Sequence, residues 1–512
     1  MHQSAFESPA RAATALAVAL LVVTAGLPSV VAGAEGRTVQ AGTIDDCRTV
    51  DEPGEYVLGG NLTADGNCLE VTADGVTIDG NGHTVTGDGS WTAIRVTDAD
   101  DVTVRNVTLA NWSTGVAIAG AADARIVGTT VADASVIGVT IDAGSRDATV
   151  RNATLENGSS GIRSRAADVT VADSEFANLL GAAVDLRGDD SRVTNNVFRS
   201  TGGAAVTVTA VDDAVIANNT VRATIGGIAV TDSSAVTVRG NSLRDVQGAS
   251  VRIDGDGEPE PARNRPIPGT RGAGVSFVSP MPPGVAEEVS SAGSTGGADD
   301  GGTTTRRYVD VTLAPPEPPE PVRIVGNTVL DSNGNGILVT NATSTAVLEN
   351  TVVRNRDGVR IVDGADAIVR NNSVLANRDD GVQLAGSPNA TVRNNTLTNN
   401  SDDGIYVVSD GAIVLGNVAR GNGDDAVDVQ SSTLLTLRDN RLIRSGDDGL
   451  YLRNVVNATV ERNSLRRNLD DGIDLRRTTN AVTVDNAICW NLDDDFIERP
   501  GSEGTVARNN SC

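Results

Sequence analysis

The chain has 512 residues and a net charge of −26, from 67 acidic and 41 basic residues. It contains no Lys, so every base other than its two His is Arg. Such a surface repels nucleic acid and anionic membranes and excludes them as partners, and an aromatic content of 2 % excludes a core built on large rings.

Residues 1–34 read as a secretory signal: Arg11 precedes an apolar run from Ala12 to Leu27, and Ala32-Gly33-Ala34 offers a small-residue cleavage site. No later apolar run is long enough to span a bilayer, so a secreted or cell-surface monomer is expected. From there the reading is of residues 35–253 as N-terminal coils of a solenoid, 254–321 as an inserted loop and 322–512 as C-terminal coils.

The solenoid is read from a repeat. Val102-Thr103-Val104-Arg105-Asn106 opens a series of x-Val-x-x-Asn strands that includes Ala148–Asn152 and Ala214–Asn218. The series breaks at Asp254, where Pro, Gly, Ser and Glu dominate as far as Pro321, and this stretch is expected to be a long disordered loop. Within it, Gly274–Val278 and Arg307–Leu313 are expected to form a small hairpin. The rhythm resumes at Val322 and sharpens into Asp-Asp-Gly followed by alternating apolar residues. Gly358, Gly381, Gly404, Ala426, Gly449 and Gly472 hold one position at spacings of 23, 23, 22, 23 and 23, in step with Asn350, Asn372, Asn395, Asn417, Asn440, Asn463 and Asn486.

A fixed short period means that no unit buries its own core and only the stack folds. The period-2 alternation of β-branched residues, with Asn and Gly between, gives short strands and turns. Strands recurring at a fixed offset pair in parallel, so the expected fold is all-β: a parallel β-helix of roughly 16–17 coils, about 80 Å long at one strand spacing per coil. Cys47 and Cys68 are 21 residues apart and Cys489 and Cys512 are 23 apart, each close to one coil. Adjacent rungs fall within disulfide reach, so one disulfide is expected at each end, where coils fray.

The Gly-Ile-x-Val and Val-x-x-Asn-Asn units resemble the repeats of the carbohydrate-binding and sugar-hydrolase β-helix superfamily, also called pectin-lyase-like. The opening, Pro53–Leu58 through Val76–Val85, looks like the first coils of NosD-like proteins. The resemblance implies a right-handed β-helix and a polysaccharide-related role. The acidic, Lys-free composition is similar to that of extracellular haloarchaeal proteins.

Two columns carry the chemistry. The outward residues of the Gly-x-x strand are bland in the early coils and become Arg360, Gln383, Tyr406, Asp428, Tyr451 and Asp474 in the late ones. Tyr faces two coils apart with a carboxylate between them suit a polysaccharide or cell-surface glycan laid along the rod. The second column is the Asp-Asp pairs, of which Asp402, Asp403, Asp424, Asp425, Asp447, Asp448, Asp470 and Asp471 form the centre. They read as a hydrated turn ladder, as weak calcium sites with oxygen ligands, or as a catalytic cluster drawing on Asp425, Asp428, Asp448 and Asp474.

Polygalacturonase-like hydrolases share the Asp-Asp, but their Asn-Thr-Asp, Gly-His-Gly and Arg-Ile-Lys are absent here, as is the Asp-Pro-His-Asp of alginate epimerases. Copper, which the NosD resemblance would suggest, is not expected with two His, two Met and four paired Cys. The leading expectation is non-catalytic polysaccharide binding. A polysaccharide lyase or glycoside hydrolase acting on acidic polysaccharide, and a structural adhesion rod, are the alternatives.

Overall fold

The computed structural model of the chain describes residues 41–255 and 321–512. The expected signal segment and hairpin, with nearly all of the expected loop, lie outside the described residues.

The x-Val-x strands are short because each is bounded by a turn that needs a left-handed residue. In the coil around Asn395, Asn394 and Asn399 take φ of 54° and 54°, and the same two positions recur in neighbouring coils as Asn371 and Ala376, then Gly416 and Gly421. Asn and Gly tolerate this conformation best, which is why they punctuate the repeat. Each pair of turns folds one coil into three strands of two to six residues, for example Thr391–Arg393, Thr396–Thr398 and Ile405–Val408.

Each strand pairs in parallel with the equivalent strand of the next coil, and three sheets run the length of a parallel β-solenoid of about 17 turns. Register is held throughout: Gln383 pairs with Tyr406, Tyr406 with Asp428, and Asp428 with Tyr451. Leu243 pairs with Val329, so the coil before the 254–321 segment stacks directly on the coil after it.

Alternate residues point inward and build one continuous core of Val, Ile, Leu and Ala, with Trp112 and the stacked Phe176–Phe198 pair its largest members. Inside the turns, Asn side chains form a ladder from Asn196 through Asn327 to Asn510. The Asn395 backbone N–H donates to Asn417 Oδ1 at 2.9 Å, and its Nδ2 donates to the same oxygen and to the Val369 carbonyl. Backbone groups that the turns leave unpaired are thereby satisfied.

A second Asn ladder, Asn355, Asn377, Asn400 and Asn422, then Asn468 and Asn491, lies one turn further on. Both disulfides form between adjacent coils, Cys47–Cys68 with Cα atoms 4.5 Å apart and Cys489–Cys512 with Cα atoms 4.8 Å apart. No helix among the described residues is long and apolar enough to cross a membrane.

Candidate functional site

The six outward residues Arg360, Gln383, Tyr406, Asp428, Tyr451 and Asp474 do form one column, paired rung to rung on the outer face of one sheet. They are not equally exposed. Arg360, Gln383, Tyr406 and Tyr451 are half-buried, whereas Asp428 is only 6 % exposed and Asp474 is fully buried. The expectation that these two carboxylates face solvent is therefore corrected.

Neighbouring side chains cover them. Gln430 Nε2 donates to Asp428 Oδ2 at 2.6 Å, and Arg453 reaches down one coil to Gln430. Asp474 Oδ2 is gripped by Arg476 at 2.7 Å and by Arg499 at 3.0 Å. Arg476 also lies over the Tyr451 ring, 4.8 Å from its centroid, so one face of that ring is already occupied.

The Asp-Asp column is not uniformly hydrated. The first Asp of each pair, as in Asp402, Asp424, Asp447 and Asp470, stays at the surface, while the second, Asp380, Asp403, Asp425, Asp448 or Asp471, is buried. The buried carboxylates are built into the stack: the Asp403 N–H donates to Asp380 Oδ1, Asp425 N–H to Asp403 Oδ1 at 2.9 Å, Asp448 N–H to Asp425 Oδ1 at 2.7 Å, and Asp471 N–H to Asp448 Oδ1 at 2.8 Å. These bonds run opposite to the Asn ladders, in which each backbone N–H donates to the side chain of the following coil.

The two ends of the Asp ladder carry cations, Arg360 at 3.5 Å from Asp357 and Arg499 at 2.9 Å from Asp471. Between them, no ion-pair partner contacts Asp380, Asp403, Asp425 or Asp448 among the described residues. Burial and the neighbouring carboxylates consequently push these four up, to about 7, 10, 9 and 8 respectively. Asp428 is raised to about 6, chiefly by burial, and held there by the Gln430 hydrogen bond and the Arg453 charge. Burial and the charges of Asp428, Asp380 and Asp403 also raise Tyr406, whose ring therefore shares the environment of the cluster.

Carboxylate oxygens of Asp402, Asp403 and Asp424 lie within 4.8 Å of one another, as do those of Asp424, Asp425 and Asp447, and of Asp447, Asp448 and Asp470. Every Asp expected to hold calcium except Asp471 thus falls in one of these three inter-coil clusters, and Asp471 joins a further one with Asp448 and Asp474. Sequence reasoning places Arg453 and Arg476 near the two Tyr but misses Gln430 and Arg499 as members of this surface. The signal for Gln430 was its position two residues beyond the outward column, the position that Arg453 holds one coil on.

Three segments of the sequence, residues 92–243, 320–419 and 396–510, match the family described as right handed beta helix region. No curated protein matches the chain in sequence. Among solved structures, the periplasmic alginate epimerase AlgG is 12 % identical with a TM-score of 0.31, covering 85 % of this chain and 78 % of its own. An alginate lyase from Paenibacillus sp. str. FPU-7 is 14 % identical with a TM-score of 0.31, covering 42 % of this chain and 94 % of its own. The exopolygalacturonase from Thermotoga maritima is 9 % identical with a TM-score of 0.31, covering 65 % and 81 %. These likenesses concern fold alone.

Proposed function

The chain belongs to the family of right-handed β-helix proteins, and from that premise we propose that it binds a polysaccharide along the outer face of its C-terminal coils. One observation carries the reading. Tyr406 and Tyr451 stand half-exposed in one column, two rungs and about 9.6 Å apart, with polar groups on every side.

A rigid β-sheet holds the two rings at a fixed spacing, so little side-chain entropy is lost when a sugar settles on them. Gln383, Gln430 and the exposed Arg453 supply donors in the columns around the rings, and Arg453, bonded to the neutral Gln430, favours a glycan that carries acidic groups. The early coils place Thr140, Thr207 and Ala229 in the same column, and nothing there offers an aromatic platform.

A second reading is favoured by a separate observation. Asp428 at about 6 lies beside Asp425 at about 9, an asymmetry that suits a base and an acid working together in glycoside hydrolysis. The two readings separate in one assay: the protein is incubated with acidic and neutral polysaccharides in high salt, and retention and new reducing or unsaturated ends are measured together. Retention without new ends supports binding alone, new ends replace it with catalysis, and neither result on any glycan removes both.

A further inference from the structure

Beyond glycan binding, the middle of the Asp ladder poses a problem of charge that the fold alone does not solve. Asp380, Asp403, Asp425 and Asp448 are buried on consecutive coils, one strand spacing or about 4.8 Å apart. Each spends one oxygen on a backbone N–H, and none touches an Arg among the described residues. The surface Asp of the next pair closes over each gap, which brings three carboxylate oxygens to within 4.8 Å of one another. Like charges at that range are relieved either by protonation or by a cation shared between them, and only the cation leaves the carboxylates ionised.

An independent observation points the same way. Asp428 is 6 % exposed, and its Oδ1 is buried with no hydrogen-bond partner, although Gln430 satisfies Oδ2. Its carboxylate is near enough to Asp402, Asp403 and Asp424 for their charges to act on one another. Such a buried, unpartnered oxygen, within electrostatic reach of the converging cluster, has the character of a ligand atom awaiting a hard cation.

We infer that the coils whose buried Asp has no Arg partner bind a divalent, oxygen-preferring cation of the calcium class between rungs, held by Asp402, Asp403 and Asp424 with the free oxygen of Asp428, and that the Asp424–Asp425–Asp447 gap repeats the site one coil on. The donor set is all oxygen and all carboxylate, which suits calcium and not copper or zinc. Because the first Asp of each pair is at the surface, the cation keeps a side open to water or to an incoming hydroxyl or carboxylate. The Arg residues at the two ends of the ladder mark where the array stops.

The test uses the full chain, stripped with a chelator and titrated calorimetrically with calcium chloride against sodium chloride at matched ionic strength. At least one saturable calcium site per chain is expected, with a melting temperature raised by at least about 4 °C. Asp402→Asn, at the surface, and Asp403→Asn, which keeps its acceptor for the Asp425 N–H, should each weaken calcium at least tenfold without changing the fold by circular dichroism. Heats and melting shifts reproduced by sodium chloride alone would overturn the inference, and so would calcium affinity unchanged in Asp402→Asn. Glycan retention is a separate readout, so failure here leaves the binding face untouched.

Discussion

Ala426 and Ser445 depart from the C-terminal repeat at facing positions of adjacent coils, and each explains the other. In neighbouring coils a Gly faces an Asn of the second ladder: a Cβ placed on Gly381 would lie 2.7 Å from Asn400 Nδ2, and one on Gly404 would lie 2.5 Å from Asn422 Nδ2. Where the Gly is replaced by Ala426, the Asn one coil on is replaced by the shorter Ser445. The compromise leaves both Asn422 Nδ2 and Ser445 Oγ buried without a partner.

This pairing sets up a double-mutant cycle. Ser445→Asn alone drives an amide into the Ala426 methyl and should cost about 1–3 kcal/mol. With Ala426→Gly added, the second ladder runs unbroken from Asn355 to Asn491, and the double variant should exceed the native protein by about 1 kcal/mol. Chemical denaturation of the four proteins measures the coupling. Additive effects would mean that the two exceptions are unrelated.

The buried Asp ladder inverts the usual dependence of a carboxylate-rich protein on pH. Asp380, Asp403, Asp425, Asp428 and Asp448 titrate higher in the fold, at about 7, 10, 9, 6 and 8, than the value near 3.9 of an unfolded chain. Between those limits the folded state holds more protons than the unfolded one, so stability falls as pH rises. The cation-free protein should therefore melt lower at pH 8.5 than at pH 5, a trend that added calcium flattens. Scanning calorimetry in chelator checks the sign, and a melting temperature that rises over this range contradicts it.

Asp425 separates the structural role of its carboxyl group from the cost of its charge. Its Oδ1 accepts the Asp448 N–H at 2.7 Å. Asp425→Asn keeps that acceptor and is neutral without having to take up a proton on folding, so it should raise the melting temperature of the cation-free protein at pH 8. Asp425→Ala orphans a buried N–H and opens a small cavity, and should lower stability by about 2–4 kcal/mol. Thermal unfolding of both variants at one pH distinguishes them.

The sequence made legible whatever depends on spacing. The period gave the coils, the Asn350-to-Asn486 series gave the first ladder, and the Cys spacings gave both disulfides, because all three follow from a rung-to-rung register. The second ladder was legible in the same way, since Asn355, Asn377, Asn400 and Asn422 recur at 22 or 23 residues. What spacing does not reveal is depth. Asp402 and Asp403 are adjacent and chemically identical, yet one is half-buried and the other is buried, because the turn tucks the second under the next coil. The covering of Asp428 by Gln430 and of Asp474 by Arg499 depends on side chains from other positions or other coils, which a column read alone does not contain.

The most direct measurement is affinity electrophoresis of the native protein, a Tyr406→Ala Tyr451→Ala variant and a Thr140→Ala Thr207→Ala control against the polysaccharide that retains the native chain best. Stacking lost from two rings should weaken retention by about tenfold or more, while the control, altered in the same column of the early coils, should migrate like the native protein. Equal retention of the tyrosine variant and the native protein would contradict a glycan-binding face on the C-terminal coils.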